Sequence, residues 1–518
     1  MRRPDTIISD TIISQNFKKQ LPINLISNVG YFALNVVIGI WMVPFLIRHL
    51  GVEGYGFIPL ASSVTSYVSL ITLALNGAVS RYLVIALQKN DVEGANKIFN
   101  TAFWALAFLS VILVPLVGVF SWFVPRIFHV PVHLVFQVQG LFFMILLSFV
   151  ISVFSSIFYV STFANNRLDL RNLIDMSSLS VRAILIIISI TFVSTSLTNV
   201  GVAYFSGALI ALLLGHAFFR KLTPSLKISR KFFDLSKLRE LTSMGGWLVV
   251  GQTGTLFFLQ IDLILCNILF SAHDTGVYAA LIQWNFLLRS MAGVVAAVLA
   301  PVVTISYALN QKERIVRMSQ CAVKYMGLGV ALPVGFLFGF ADSILRVWLG
   351  LDFVQYAPLL RLMTFYLTIN LAVLPLFGLS AAYNKVKWPG IVTFLSGIIN
   401  IFVAVFLAKF LGWGLYGIAS AGFIVLTFKN VIFAPLYFAH VLNISKLSFF
   451  RPLITSCVAV AVVSGVAYTL SRFVVLENFG AVLMAGLGIS IVYLIFVWLC
   501  LFQAEDRSLF LGLFKRGG

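Results

Sequence analysis

Charge is scarce in this sequence, and negative charge is scarcest. Asp and Glu number 17 among 518 residues, and all charged types together make up 10% of the chain. That is too little to solvate an ordinary soluble domain or to keep a disordered chain expanded. Cysteine is equally rare. Cys266, Cys321, Cys457 and Cys500 lie in or beside apolar segments with no paired spacing, so neither a disulfide framework nor a thiolate metal site is expected. The six histidines are scattered. His129 and His133 have the spacing of a helical metal pair, but Pro131 between them predicts a loop and therefore no metal. No GxxxxGK[ST] phosphate loop is present, so ATP hydrolysis is not expected, no cofactor is implied, and no catalytic constellation points to an enzyme.

What the chain has instead is long apolar runs. Hydrophobic residues make up 60% of it and the mean hydropathy is +1.02. A bilayer core ~30 Å thick needs ~20 apolar residues at ~1.5 Å per residue, and lipid cannot hydrogen-bond a bare backbone, so such runs must be helices. The runs predict an all-α polytopic membrane protein of fourteen spans, beginning near residues 24, 57, 98, 136, 173, 199, 245, 277, 320, 357, 389, 415, 451 and 481. The opening MRRPDTIISDTIISQNFKKQ is polar and lacks a cleavable apolar core, which predicts that the first span is retained.

The net charge of +19 is distributed as membrane topology requires, not as a nucleic-acid surface. Lys and Arg gather on alternate segments, most densely at Arg220, Lys221, Lys227, Arg230, Lys231, Lys237 and Arg239. The intervening loops hold only Arg48, Arg126, Arg346, Lys409 and Arg472. By the positive-inside rule both termini are then cytoplasmic.

The longest polar interruption, RKLTPSLKISRKFFDLSKLRELTSMG, divides the chain into an N-lobe (1–219), a basic linker (220–244), a C-lobe (245–440) and a two-helix extension with a basic tail (441–518). Phe232, Phe233, Leu235, Leu238 and Leu241 recur at roughly helical spacing against a basic face. This predicts an amphipathic helix on anionic membrane lipids, or a plain topology anchor. The lobes read as repeats: one offset places Gly54 of VEGYG on Gly276 of HDTGVY and QKND (88–91) on NQKE (310–313). Pseudo-symmetric halves are a recurring build of alternating-access carriers.

The stretches FLIRHLGVEGYGFIPLASSVTSYVSLITLALNGAVSRYLV (45–84), ANNRLDLRN (164–172), QIDLILCNILFSAHDTGVYAA (260–280) and ILRVWLGLDFVQYAPLLRLM (344–363) resemble bacterial polysaccharide flippases. These belong to the multidrug/oligosaccharidyl-lipid/polysaccharide exporter superfamily, and the resemblance runs from about residue 20 to 440. It implies two six-helix lobes around a central, often cationic cavity. It also implies an inner-membrane carrier that moves an undecaprenyl-diphosphate-linked oligosaccharide outward for O-antigen, capsule or exopolysaccharide synthesis, with a polymerase and glycosyltransferases as partners and no nucleic acid. A multidrug cation antiporter of the same superfamily is the first alternative, although its expected cavity carboxylate is missing from the first span. A membrane glycosyltransferase or polymerase is the second, although the outer loops are short and poor in acids.

Charged groups inside spans cost about 2.5–3.5 kcal/mol at mid-helix and mark functional positions by default. Here they are Arg81, Arg182, Arg289, Arg361 and Lys429, against Asp175 and Asp262. The basic excess suits an anionic passenger such as a lipid diphosphate, which a guanidinium fork holds well.

Arg289 lies ~18 Å into the eighth span, on a face with Asn285 and small residues. It is expected either to line a cavity or to pair with Asp262, which is itself a candidate for ion pairing or coupling. Arg182 shares a face with Asp175, leaving substrate contact and an internal pair open. Lys429 is expected to snorkel to the cytoplasmic interface and Arg361 to anchor at the outer one. Ser62, Thr65, Ser69, Thr72, Asn76 and Ser80 form a polar stripe along the second span, read as a wet cavity wall or a polar helix contact. Arg81, ~36 Å along that helix from Phe57, is beyond a ~30 Å core and is expected at the cytoplasmic interface, meeting lipid phosphates or, on the family resemblance, capturing a diphosphate at the cavity entrance.

Overall fold

The computed structural model describes residues 4–89, 91–234, 236, 246–474 and 476–502. Among them every regular element is helical and no strand occurs. Twelve helices are long and apolar enough to cross a bilayer, or thirteen when the bent pair Val249–Leu259 and Ile261–Leu269 counts as a span. The span Pro22–Val68 has 47 residues, ~70 Å of helix against a ~30 Å core. It is two helices meeting at Gly51, whose φ of 75° and ψ of 167° a side chain would disfavour. Taken as two crossings, it brings the helix order to the fourteen spans read from the apolar runs.

By packing, the chain forms two compact units, Met1–Ala279 and Ala280–Gly518. The first contains α1 (Pro4–Val68), α2 (Leu70–Gln88), α3 (Val92–Ile127), α4 (Val135–Ala164), α5 (Leu168–Ile188), α6 (Leu197–Leu222), α7 (Gly246–Leu259), α8 (Ile261–Leu269) and the start of α9 (Ala272–Ala308). The packing boundary therefore lies past the polar linker at 220–244. The reason is local: Tyr67 donates to the Leu256 carbonyl at 3.2 Å. Asn267 also accepts from the His129 amide at 2.8 Å, which fastens the α3–α4 loop to α8. No continuous helix joins His129 to His133, as Pro131 predicts: residues 128–131 are non-helical and a 3-10 turn at Val132–Leu134 follows. Phe99 and Phe219 stack at 4.7 Å in the core between α3, α4 and α6.

The VEGYG and HDTGVY motifs meet in this unit. A Cβ on Gly56 would stand 2.7 Å from the Gly276 nitrogen, and one on Gly276 would run into the Val52 carbonyl. ANNRLDLRN is explained as well. Asn166 adopts the left-handed conformation at φ 55°, which Asn tolerates. The turn is fastened to α1 by Asn24 donating to the Asn166 carbonyl at 3.0 Å, Gln20 to Asp169 at 2.8 Å and Asn172 to Ser27 at 2.8 Å.

Of the linker, residues 220–234 and Ser236 are described. After α6 it runs extended, with one 3-10 turn at Arg230–Phe232, because its backbone is taken up by α3. Asn96 accepts from the Lys227 amide at 2.8 Å and donates to the Ser225 carbonyl at 3.1 Å. Asn100 accepts from the Ser229 amide at 2.7 Å and donates to the Lys227 carbonyl at 2.8 Å. Two carboxamides one turn apart thus act as a strand edge, and Arg230 lies 4.8 Å over the Trp104 ring. Leu235, Leu238 and Leu241 fall outside the described residues.

The second unit continues with α10 (Lys312–Gly339), α11 (Ala341–Leu349), α12 (Ala357–Phe365), α13 (Leu367–Ala372), α14 (Phe377–Ala382), α15 (Lys387–Val405), α16 (Gly414–Phe428), α17 (Ala434–Leu442), α18 (Phe450–Phe473) and α19 (Phe479–Phe496). Helices α10 and α18 run parallel in tight contact. Gly327 faces Ser456, Gly335 faces Val463 with space for a Cβ only 2.6 Å from the Val463 Cβ, and Gly339 faces Ala467. Small residues permit this approach where lipid offers no hydrophobic drive between helices. On α19 only Ile489 and Tyr493 are buried, Tyr493 donating to the Leu328 carbonyl at 2.7 Å. Its remaining apolar side chains face outward, as lipid contact requires.

Candidate functional site

The second unit holds a polar centre at mid-span. Arg289 lies ~26 Å from the Ala272 end of α9 and ~29 Å from its Ala308 end. One turn earlier, buried Asn285 accepts the Arg289 Nε–H at 2.5 Å. The Asn285 amide donates in turn to the Met363 carbonyl at 3.1 Å and contacts the Tyr366 hydroxyl at 3.5 Å. Lys429 is equally central in its own span, ~22 Å from Gly414 and ~20 Å from Leu442. It is 8% exposed, with its ammonium 5.2 Å from the Phe377 ring centroid, and Arg289 is close enough to repel it electrostatically. Beside it, buried Asn430 donates to Asn370 at 2.8 Å.

The helices are irregular where this cluster forms. Lys429–Phe433 is a π-helical turn between α16 and α17, and the facing span breaks at Tyr366 and again around Pro375. Broken backbone at membrane depth is tolerated where it is buried in protein or lines a wet cavity, and π turns gather at functional positions. Chemically, the cluster offers a guanidinium steered by a carboxamide, a nearby ammonium and several neutral amides. It is arranged to receive negative charge.

The first unit contains a cavity of about 440 Å³ lined by Ser80, Ser152, Ser156, Tyr159, Arg171, Asp175 and neighbouring apolar residues. Arg171 pairs with Asp175 at 2.9 Å and lies 3.7 Å over the Tyr159 ring. The Tyr159 hydroxyl is 3.0 Å from the Ser155 hydroxyl.

The structure thus brings Arg289 and Asn285 together and adds Lys429, which corrects the snorkelling expected of that lysine: its neighbours enclose it at mid-span. Arg182 does not pair with Asp175. Arg171, one turn before Asp175, takes that role, and Arg182 stacks 4.4 Å over Tyr204. Asp262 is buried and accepts from the Tyr278 hydroxyl at 2.9 Å. Arg361 is no simple interface anchor, since it forms an ion pair with Asp342 and donates to the Phe338 carbonyl at 3.0 Å.

The hydroxyls of the polar stripe mostly serve their own helix. Ser62 bonds back to Ile58 at 3.0 Å, Thr65 to Ser62 at 2.6 Å and Ser69 to Ser66 at 2.6 Å, and of the stripe Ser80 reaches the 440 Å³ cavity. The side chains of Thr72 and Asn76 lie outside the described residues. Arg81 is exposed, ~44 Å along the crossing from Val52.

Asn370, Asn430, Tyr366, Tyr159 and Arg171 are the participants that sequence reading missed. Asn430 had a signal, since a Lys-Asn pair inside an apolar run is costly twice over. Tyr159 had none, because a tyrosine in an apolar run reads as packing.

Comparison with known proteins agrees with this architecture. Residues 24–306 match the polysaccharide biosynthesis protein family. The uncharacterized membrane protein EpsK of Bacillus subtilis (strain 168) is 34% identical over 495 residues, covering 95% of this chain and 98% of EpsK. Among solved structures, the lipid II flippase MurJ in its inward closed conformation superposes with a TM-score of 0.67 at 15% identity, covering 91% of this chain and 98% of MurJ. An inward-facing multidrug resistance MATE family transporter of the MOP superfamily superposes with a TM-score of 0.67 at 15% identity, covering 81% and 99%. At such identity these two describe the fold.

Proposed function

The chain belongs to the polysaccharide biosynthesis protein family, and we propose that it is a carrier that moves an undecaprenyl-diphosphate-linked oligosaccharide across the inner membrane, with both of its own termini cytoplasmic. The observation that carries this reading is the pair of cations at mid-span, Arg289 steered by Asn285 and Lys429 buried beside Asn430. Two positive charges brought this deep cost several kcal/mol to insert, and a diphosphate passing through would offset that cost with charge-assisted, bidentate hydrogen bonds. Arg289 directs its Nε–H to Asn285, and its two terminal nitrogens make no hydrogen bond among the described residues. They form the fork that would meet a phosphate. The diphosphate carries fixed negative charge whichever glycan is attached, so the lipid-diphosphate end is the natural handle.

A cationic drug is the competing passenger that the MATE-like fold raises. Two cations at the centre of the second unit disfavour it by direct repulsion. The test is a flipping assay in proteoliposomes with a fluorescent short-chain polyprenyl-diphosphate oligosaccharide, read by the fraction a membrane-impermeant quencher reaches. Flipping that is lost in Arg289→Ala supports the proposal. Transport of an organic cation with no flipping of the lipid would replace it with the antiporter reading.

A further inference from the structure

A second cationic feature of this unit lies away from the mid-span centre. A cleft of about 770 Å³ opens where α10 and α18 begin and where the π turn Val497–Leu501 ends the last span. Among the described residues, Lys312, Arg317, Lys324 and Arg451 line it against a single carboxylate, Glu313. Glu313, Arg317, Gln320 and Lys324 stand at i, i+4, i+7 and i+11 on one face of α10, so the cleft runs ~17 Å down that helix. Apolar side chains of Val316, Ile444, Pro452 and Leu501 stand between the polar ones in its lining. At its floor Lys324 lies 5.8 Å from the Phe502 ring.

The charges are placed against the local electrostatics. Helices α10 and α18 run parallel, so both positive helix ends point to this cleft, where a carboxylate would be favoured and a cation is not. Lys312 opens α10 and Arg451 is the second residue of α18. Gln320 reaches the Ser448 carbonyl at 3.3 Å and Lys312 the Asn443 carbonyl at 3.5 Å, bonds that hold the connecting loop as a wall. Cations collected beside two positive helix ends, in a cleft with one carboxylate, are relieved when an anion joins them.

We propose that this cleft binds a phosphate ester anion, held by Arg317, Lys324 and Arg451. The ester is supplied either by the headgroup of an anionic phospholipid, whose chains would follow the apolar side chains of Ile444, Pro452 and Leu501, or by a free phosphate. The cleft would act as a lasting anchor at the basic end of the spans, distinct from the mid-span centre through which a passenger moves.

The full-length protein would be purified and compared in nanodiscs of phosphatidylcholine alone, in nanodiscs containing about one third phosphatidylglycerol, and in phosphatidylcholine nanodiscs with millimolar inorganic phosphate. Thermal unfolding and lipid retention by native mass spectrometry would be read together. A rise of several degrees and one retained phosphatidylglycerol, both lost in the R317Q/R451Q double variant and both kept in the control Lys446→Gln, establish the lipid headgroup. The same rise with phosphate alone, lost in the same double variant, establishes a free phosphate ester. Because the double variant could fail to fold, Glu313→Gln is the second probe. It removes the one carboxylate and should tighten retention several-fold. Responses to both anions that are unchanged in R317Q/R451Q and in E313Q overturn the proposal.

Discussion

Arg289 hands its Nε–H to Asn285 one helical turn away, at 2.5 Å, while Asn285 hands its own amide to the Met363 carbonyl. The guanidinium is therefore steered by a neutral group that is itself pinned to the broken span. This geometry separates position from charge. Arg289→Ala should abolish flipping in proteoliposomes, and Arg289→Lys should retain under a tenth of it, because an ammonium lacks the bidentate fork. Asn285→Asp should reduce flipping as strongly by neutralising the centre, with the protein still inserted. A normal rate in well-folded Asn285→Asp would remove the positive charge from the mechanism.

Lys429 supplies the complementary test. It is buried and repelled by Arg289, and in the proposed carrier its charge serves the passenger. Lys429→Met keeps the length and apolar stem, and relieves the cost of a buried cation. Its melting temperature should equal or exceed that of the wild type by a few degrees while flipping falls at least tenfold. A variant less stable than the wild type would show that Lys429 is a structural residue.

The Gly56–Gly276 crossing tests the fold of the first unit. A methyl group on Gly276 would run into the Val52 carbonyl, and backbone cannot give way as a flexible side chain does. Gly276→Ala should cost about 1–3 kcal/mol by overpacking, seen as a lower melting temperature and less protein in the membrane fraction. Gly293→Ala, where the space is open, should be neutral on both readouts.

The linker clamp tests the extended conformation of residues 223–234. Asn100→Ala would strip the Lys227 carbonyl and Ser229 amide of their partners, a local loss of about 1–3 kcal/mol where these groups are sheltered from water. Hydrogen exchange should rise at residues 225–234 and trypsin should cleave faster after Lys227 and Arg230. Transport and global melting should be little changed. Exchange equal to the wild type would mean that the clamp does not hold the linker.

The fourteen crossings were legible because each is a statement about composition over ~20 residues, and lipid leaves such a run one backbone solution. The turn at Asn166 and the loop at Pro131 were legible for the same kind of reason, since each follows from what one residue's backbone tolerates. Arg289 and Asn285 could be placed on one face because they lie one turn apart on a single helix, although the partner expected of Arg289 was Asp262. The extended start of the linker was not legible because the partners of its backbone, Asn96 and Asn100, stand some 130 residues earlier, while the helix expected from Phe232 to Leu241 falls largely outside the described residues.

The sequence by itself determined that this is a helical membrane protein, where its helices lie, and that its interior carries more positive than negative charge. The tertiary structure decided which of those charges act together. Lys429 and Arg289 lie 140 positions apart on different helices, and their proximity depends on how two broken or bulged spans pack with α9. Hydropathy along the chain reports how far a group lies from a helix end and says nothing about its neighbour across the bundle. The same limit gave Asp175 to Arg171 in place of Arg182 and turned most of the polar stripe's described hydroxyls back onto their own helix. Partner choice is a matter of angstroms in three dimensions.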